Sequence, residues 1–124
     1  MHKNVIIVDD DPFCRDAMVH VVSKQNPNWI VHSMSTGSEA LDLIEELHGN
    51  DQHIAMCILD VNLEHESGTD VVRTLRQCER AAPLIPRTRV MGISGDISTR
   101  TRSLSAGMDE FHVKPLTLKH FRKA

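Results

Sequence analysis

The sequence predicts an α/β domain built on a parallel sheet, and three observations carry that expectation. Short apolar runs, rich in β-branched residues, recur along the chain. Stretches with helical spacing separate them, and acidic, hydroxyl and basic residues stand where the runs end. Continuous apolar runs, without strict in–out alternation, suit strands buried on both faces of a parallel sheet. Strands that alternate with helices imply parallel pairing through right-handed crossovers.

The elements follow in order. Val5-Ile6-Ile7-Val8 is the first strand and ends in three acids. Asp11 and Pro12 supply an N-cap and a proline suited to the first helical position, ahead of the stripe Cys14, Ala17, Met18, Val21 and Val22. Trp29-Ile30-Val31 is the second strand. Thr36-Gly37-Ser38-Glu39 has capping-box spacing, with Ala40, Leu41, Ile44 and Leu47 behind it. Ile54-Ala55-Met56-Cys57-Ile58-Leu59 is the longest run, and residues 67–70 repeat the helix-start signal before Val71, Val72, Leu75 and Cys78. Val90-Met91-Gly92-Ile93 predicts the fourth strand, and Ile97, Thr101, Leu104 and Met108 a weaker fourth helical stripe. Phe111-His112-Val113 predicts the fifth strand, stopped by Pro115, and Leu116, Leu118 and Phe121 begin a last helix. That helix has about seven residues before Ala124, under the roughly 11–12 of a mean helix, so the natural chain is expected to continue or this to be an excised domain. Met1 just ahead of the first strand suits an N-terminal position.

Composition narrows the classes. A chain of 124 residues is the size of one domain, 1–124, with no linker or repeat inside it. Hydrophobic residues make up 40% and charged residues 25%, which excludes a disordered chain. A net charge of -3 speaks against direct nucleic-acid binding, and the lack of Tyr, with one Trp and three Phe, against a stacking platform. Cys14, Cys57 and Cys78 are odd in number and form no C-x-x-C pair, so a reducing, cytoplasmic setting is expected and a zinc site is not. The opening apolar stretch is far too short for a signal-peptide core or a membrane span.

The chemistry sits at the strand ends. In an open α/β sheet, ligands bind beyond the carboxyl ends of the strands. Asp9, Asp10 and Asp11 follow the first run, Asp60 the third, Ser94 the fourth and Lys114 the fifth. Singly these are helix starts, turns and a strand stop; in this order on one frame they converge on a site. Carboxylates packed together repel unless a cation offsets them, and hard oxygen donors in a partly hydrated setting suit Mg²⁺. A carboxylate beside the ion can attack phosphorus to give an aspartyl phosphate, with a Lys ammonium and a Ser hydroxyl as donors to the new phosphoryl oxygens.

These motifs resemble the receiver domains of two-component response regulators. The resemblance runs from Asn4 to about Phe121 and rests on Val5 to Pro12, on Ile58-Leu59-Asp60 with Gly68 eight residues on, on Gly92-Ile93-Ser94-Gly95, and on the stretch Ala106 to Pro115. It implies a flavodoxin-like, doubly wound, five-stranded parallel sheet in the order 2-1-3-4-5, flanked by five helices. It implies that Asp60 is the phosphoacceptor, taking its phosphoryl group from a phosphohistidine on a sensor histidine kinase or a histidine phosphotransfer domain. Asp9, Asp10, Asp60 and the backbone carbonyl of Asn62 would hold Mg²⁺. Ser94 and Lys114 would contact the phosphoryl group, and Phe111 would rotate inward as Ser94 moves. The domain would then be a signalling switch that catalyses only its own phosphorylation and dephosphorylation. The fourth helix, fifth strand and fifth helix would present the changed surface to a downstream output domain or protein, or to a second copy on phosphorylation. Arg100, Arg102, Lys119, Arg122 and Lys123 make that surface basic, which reads first as a solvated helix face. Cys14, Arg15 and Met18 are candidates for the kinase-side contact.

Four positions depart from the family pattern: Ser94 where Thr is commoner, Phe111 in place of Tyr, Val61-Asn62-Leu63-Glu64 without the usual Met-Pro, and a long stretch 79–89 with Pro83 and Pro86. Asn62 and Asp96, polar residues two places after Asp60 and Ser94, imply moderate to fast hydrolysis of the phosphoryl bond. A haloacid-dehalogenase-type phosphatase would need a second Asp where Asn62 stands. A flavodoxin-like cofactor binder would need a Ser/Thr/Gly loop where three Asp stand. A receiver regulated without phosphorylation is the remaining rival.

Overall fold

The structure is a computed structural model that describes residues 3–115. The apolar runs form β1 (Lys3–Val8), β2 (Trp29–Met34) and β3 (Ile54–Asp60). After a small hairpin of β4 (Asn62–Leu63) and β5 (Glu66–Ser67) come β6 (Arg89–Ser94) and β7 (Glu110–Val113). The five long strands pair parallel in the order β2-β1-β3-β6-β7, which is the expected 2-1-3-4-5 counted over the sheet. The helices are α1 (Pro12–Gln25), α2 (Gly37–Gly49), α3 (Gly68–Ala81) and α4 (Arg100–Ala106). The expected last helix, at Leu116, Leu118 and Phe121 with Lys119, Arg122 and Lys123, lies outside the described residues.

Alternation along the buried strands builds two cores. Ile6 and Val8 of β1 with Cys57 and Leu59 of β3 face α2, α3 and α4, where Ile44, Val71, Val72 and Leu75 meet them. Val5, Ile7, Met56, Ile58, Met91 and Ile93 face the other way, toward Met18 and Val22 of α1. Helices on both faces make the sheet doubly wound.

The helix starts are those the sequence marks. Asp11 accepts a hydrogen bond from Phe13 N at 2.9 Å, with Pro12 opening the helix. Thr36 accepts from Glu39 N at 3.1 Å while its hydroxyl donates to the Glu39 carboxylate at 2.9 Å. Ser67 accepts from Thr69 N at 3.2 Å.

The fourth stripe is differently phased from the expectation. Ile97 is 67% exposed and Thr101 is exposed, whereas Thr99, Ser103, Ala106 and Met108 are buried. The cause is a 3-10 turn, Ile97–Thr99, capped by Asp96, which rotates the helix before α4 begins. Ser103 tolerates burial because its hydroxyl donates to the Thr99 carbonyl at 2.8 Å. Gly107 ends α4 at φ 121°, a backbone region that disfavours any side chain.

Arg76 on α3 is 6% exposed, and all five of its N–H donors are used. Nε and Nη2 donate to the Gly107 carbonyl at 3.0 and 2.9 Å, and Nη1 to Glu79 and to the Thr88 carbonyl, each at 2.8 Å. Nη2 also donates to Asp109 at 2.8 Å. One guanidinium thus ties α3 to the segments that lead into β6 and β7. Among the described residues, no helix is long and apolar enough to cross a membrane.

Candidate functional site

Because the strands are parallel, β1, β3, β6 and β7 end at one edge of the sheet. Asp9 and Asp10 follow β1, Asp60 is the last residue of β3, Ser94 the last of β6, and Lys114 follows β7. Register holds them level: Val61 N donates to the Ile93 carbonyl and Lys114 N to the Ser94 carbonyl, both at 2.9 Å.

The side chains converge. Lys114 Nζ lies 3.0 Å from Asp60 Oδ2 and 3.1 Å from Asp9 Oδ2. Asp60 is 3% exposed and its other oxygen accepts from Asn62 N at 2.9 Å. Asp9 is fully buried; its Oδ1 accepts from Asp11 N at 2.9 Å, and its backbone carbonyl accepts from Arg15 Nη1 at 2.8 Å. Asp10 is half-buried beside them. Ser94 Oγ accepts from the Asn62 side-chain amide at 2.9 Å and from Asp96 N at 3.0 Å. Phe111 is half-buried, packed on the core beneath α2, α3 and α4 and opposite Gly92 in register.

The electrostatics are those of an acid cluster short of positive charge. Burial raises the Asp60 pKa above the ordinary carboxylate value, and the nearby Asp9 adds to this; the Lys114 and Asn62 hydrogen bonds offset it only in part. For Lys114, burial works against the charged form, but the hydrogen bond to Asp60 and the attraction of Asp60 and Asp9 prevail and raise its pKa above the usual lysine value.

Asp9, Asp10 and Asp60 each offer a carboxylate oxygen, and these atoms lie within 4.8 Å of one another. Three carboxylates face one ammonium, and the buried Asp9 Oδ2 accepts no aligned hydrogen bond even with Lys114 Nζ close by. An all-oxygen set with residual negative charge and an orphaned buried oxygen fits a hard divalent cation such as Mg²⁺.

The family model of the response regulator receiver domain matches residues 5–124. The chain belongs to that family. Receivers are the signalling domains of two-component systems. The chain is 27% identical over 111 residues to the cell cycle transcriptional regulator CtrA of Caulobacter vibrioides, a match covering 90% of this chain and 43% of the relative. It spans under half the length of the curated relatives it matches. Its fold is similar to that of a Burkholderia pseudomallei response regulator solved with a phosphorylated aspartic acid, a calcium ion and citrate (TM-score 0.77, 19% identity, 96% of this chain and 64% of that one). It is also similar to that of the receiver domain of the Arabidopsis thaliana histidine kinase CKI1 complexed with Mg²⁺ and BeF₃⁻ (TM-score 0.79, 23% identity, 90% of this chain and 80% of that one).

Two features of this receiver were not legible in its sequence. The stretch after Asp60, expected as a loop lacking Met-Pro, is the β4–β5 hairpin, with Asn62 opposite Ser67 and Leu63 opposite Glu66. Leu63 is buried under it, and the Glu66 carboxylate accepts from Gly37 N. The hairpin in turn aims the Asn62 side chain at Ser94. Asp96, expected to act on hydrolysis, also caps the 3-10 turn, its Oδ1 accepting from Ser98 N at 2.9 Å.

Gly68 holds the floor of the site by close approach. A Cβ there would lie 2.4 Å from the Asp60 carbonyl oxygen and 3.0 Å from Val61 Cα, both backbone atoms that cannot swing aside. Gly68→Ala is expected to cost about 1–3 kcal/mol in urea unfolding. Gly49→Ala, where nothing lies within 4 Å, should stay within about 0.5 kcal/mol of the parent.

Proposed function

We propose that this receiver, a single domain over 1–124, takes a phosphoryl group from a phosphohistidine onto Asp60 and changes its surface in response. The observation that carries the reading is a buried Asp60 carboxylate held between Lys114 Nζ at 3.0 Å and Asn62 N at 2.9 Å, with Asp9 and Asp10 oxygens alongside. Asp9, Asp10, Asp60 and the Asn62 carbonyl would hold Mg²⁺, which when bound supplies charge neutralisation for the incoming phosphoryl oxygens. A carboxylate oxygen of Asp60 attacks phosphorus, an O–P bond forms, and the N–P bond to the donor imidazole breaks. Lys114 keeps its ammonium beside Asp60 and pairs with a phosphoryl oxygen.

Ser94 Oγ accepts two hydrogen bonds and still has its own proton to give. To reach the phosphoryl group it must leave the Asn62 amide, an exchange of about 1 kcal/mol that the new charge-assisted bond outweighs. Phe111 follows into the vacated space, and α4 with β7 carries the change to a downstream output domain or protein. A sensor histidine kinase or a histidine phosphotransfer domain is the donor. Asn62, once released, and Asp96 orient water for hydrolysis.

Intact-mass spectrometry after incubation with acetyl phosphate, with and without Mg²⁺, tests this. One phosphoryl adduct that requires Mg²⁺ is the expected result. A folded protein that binds Mg²⁺ yet gains no mass would instead be a receiver regulated through protein contacts alone.

A further inference from the structure

At the opposite end of the sheet from Asp60, α3 and the segment 82–88 enclose an open cleft of about 710 Å³. Arg73, Arg76, Arg80 and Arg87 line it, with Pro83, Ile85 and Pro86 between them. Residues 73–89 hold five arginines, no lysine and one acid, Glu79, so the segment carries +4; since the whole chain is -3, the remainder carries -7. Counting the three acids outside this stretch that pair with its arginines, Asp70, Asp109 and Glu110, the patch keeps +1 on a molecule of net -3.

Arg76 is the floor and offers nothing to a ligand, because its five donors are spent inside the fold. The exposed rims differ. Among the described residues, Arg73 meets only the exposed Asp70 at 3.1 Å, a surface pair of little worth. Arg87 reaches Asp109 through Nη2 alone, and Arg80 has no partner among the described residues. Ile85, half-buried, lines the cleft among them, and Pro83 and Pro86 bracket it, fixing the backbone so that little entropy is left to lose on binding.

We propose that this cleft docks an acidic segment of a partner protein, with its carboxylates forked by Arg73, Arg80 and Arg87 and an aliphatic side chain packed on Ile85. Arginine alone, with its planar pair of donors, is suited to carboxylates, and a neighbouring apolar anchor is what a protein segment can use. A nucleic acid is disfavoured: a polyanion running past the cleft meets the -7 remainder, and residues 73–89 contain no aromatic ring for a base to stack on.

Panning random linear peptides on phage against the full chain tests the proposal. Enriched peptides should carry acids clustered beside an aliphatic residue. Their synthetic forms should bind the Arg73→Glu/Arg80→Glu variant roughly tenfold more weakly or worse, and Ile85→Ser several-fold more weakly. Binding should be unchanged in Arg100→Glu/Arg102→Glu on α4, with circular dichroism showing every variant folded. Absence of enrichment, peptides without acids, equal binding to the double arginine variant, or tighter binding of a single-stranded oligonucleotide would each overturn it.

Discussion

Asp60→Asn is expected to gain no phosphoryl mass from acetyl phosphate under conditions in which the parent is modified. The amide keeps the shape and the hydrogen bond from Asn62 N, but it lacks a nucleophilic carboxylate oxygen. The same variant should unfold at a higher urea concentration than the parent in metal-free buffer. It removes one of three carboxylates that share a single ammonium, and Lys114 retains Asp9 at 3.1 Å. The pH dependence has a definite sign. Burial raises the folded pKa of Asp60 above the unfolded value, so the folded state binds the extra proton between the two. Ionised Asp60 therefore costs stability in full above the raised folded pKa, and that cost is relieved as pH falls through it toward the ordinary aspartate value of 3.8. The advantage of Asp60→Asn should shrink over that window, and added Mg²⁺, which binds the ionised cluster, should shrink it at neutral pH as well. Equal urea midpoints at every pH and Mg²⁺ level would mean that the cluster carries no excess charge.

Arg76→Ala should cost about 3–5 kcal/mol, the range for breaking a buried ion pair on one side. The substitution strips the donors from the Gly107 and Thr88 carbonyls and leaves Glu79 with no guanidinium. Arg76→Met restores most of the volume but none of the donors, so it should remain strongly destabilised; recovery by Met would show that packing is what matters. Urea unfolding with an unchanged m-value is the measurement. An acid titration gives an independent reading. Burial works to raise the Asp109 pKa, but Arg87, Val90 N–H and Arg76 outweigh it and hold the carboxyl below its ordinary value. The stability this adds is present above 3.8 and lost as pH falls through the lower folded value, a loss that should be smaller in Arg76→Ala.

Sequence reasoning reached the strands because they are buried on both faces, so each reads as a continuous apolar run. It reached Asp9, Asp10, Asp60, Ser94 and Lys114 because parallel topology turns separate strand ends into one edge. Arg76 was invisible because an arginine on a helix is ordinarily a solvent-facing residue, and the partners that justify its burial are two backbone carbonyls and acids up to 33 positions away. The bond from Asn62 to Ser94 depends on a two-residue hairpin too short to leave a periodic signal. The misphased fourth stripe has a local cause: with Asp96 capping a 3-10 turn, a spacing of four no longer marks one face.

Lys114 follows the shortest strand of the sheet, and that strand lies at the edge: β7 has four residues and pairs with β6 alone. A brief detachment of β7 would carry the ammonium away from Asp9 and Asp60. Amide exchange along β7 is therefore coupled to the charge in the pocket. Neutralising the carboxylates should loosen the hold on Lys114 and make the edge easier to open, and a phosphoryl group on Asp60, if it forms as proposed, should tighten it. One lysine thus links the edge of the sheet to an aspartate more than fifty residues earlier in the chain.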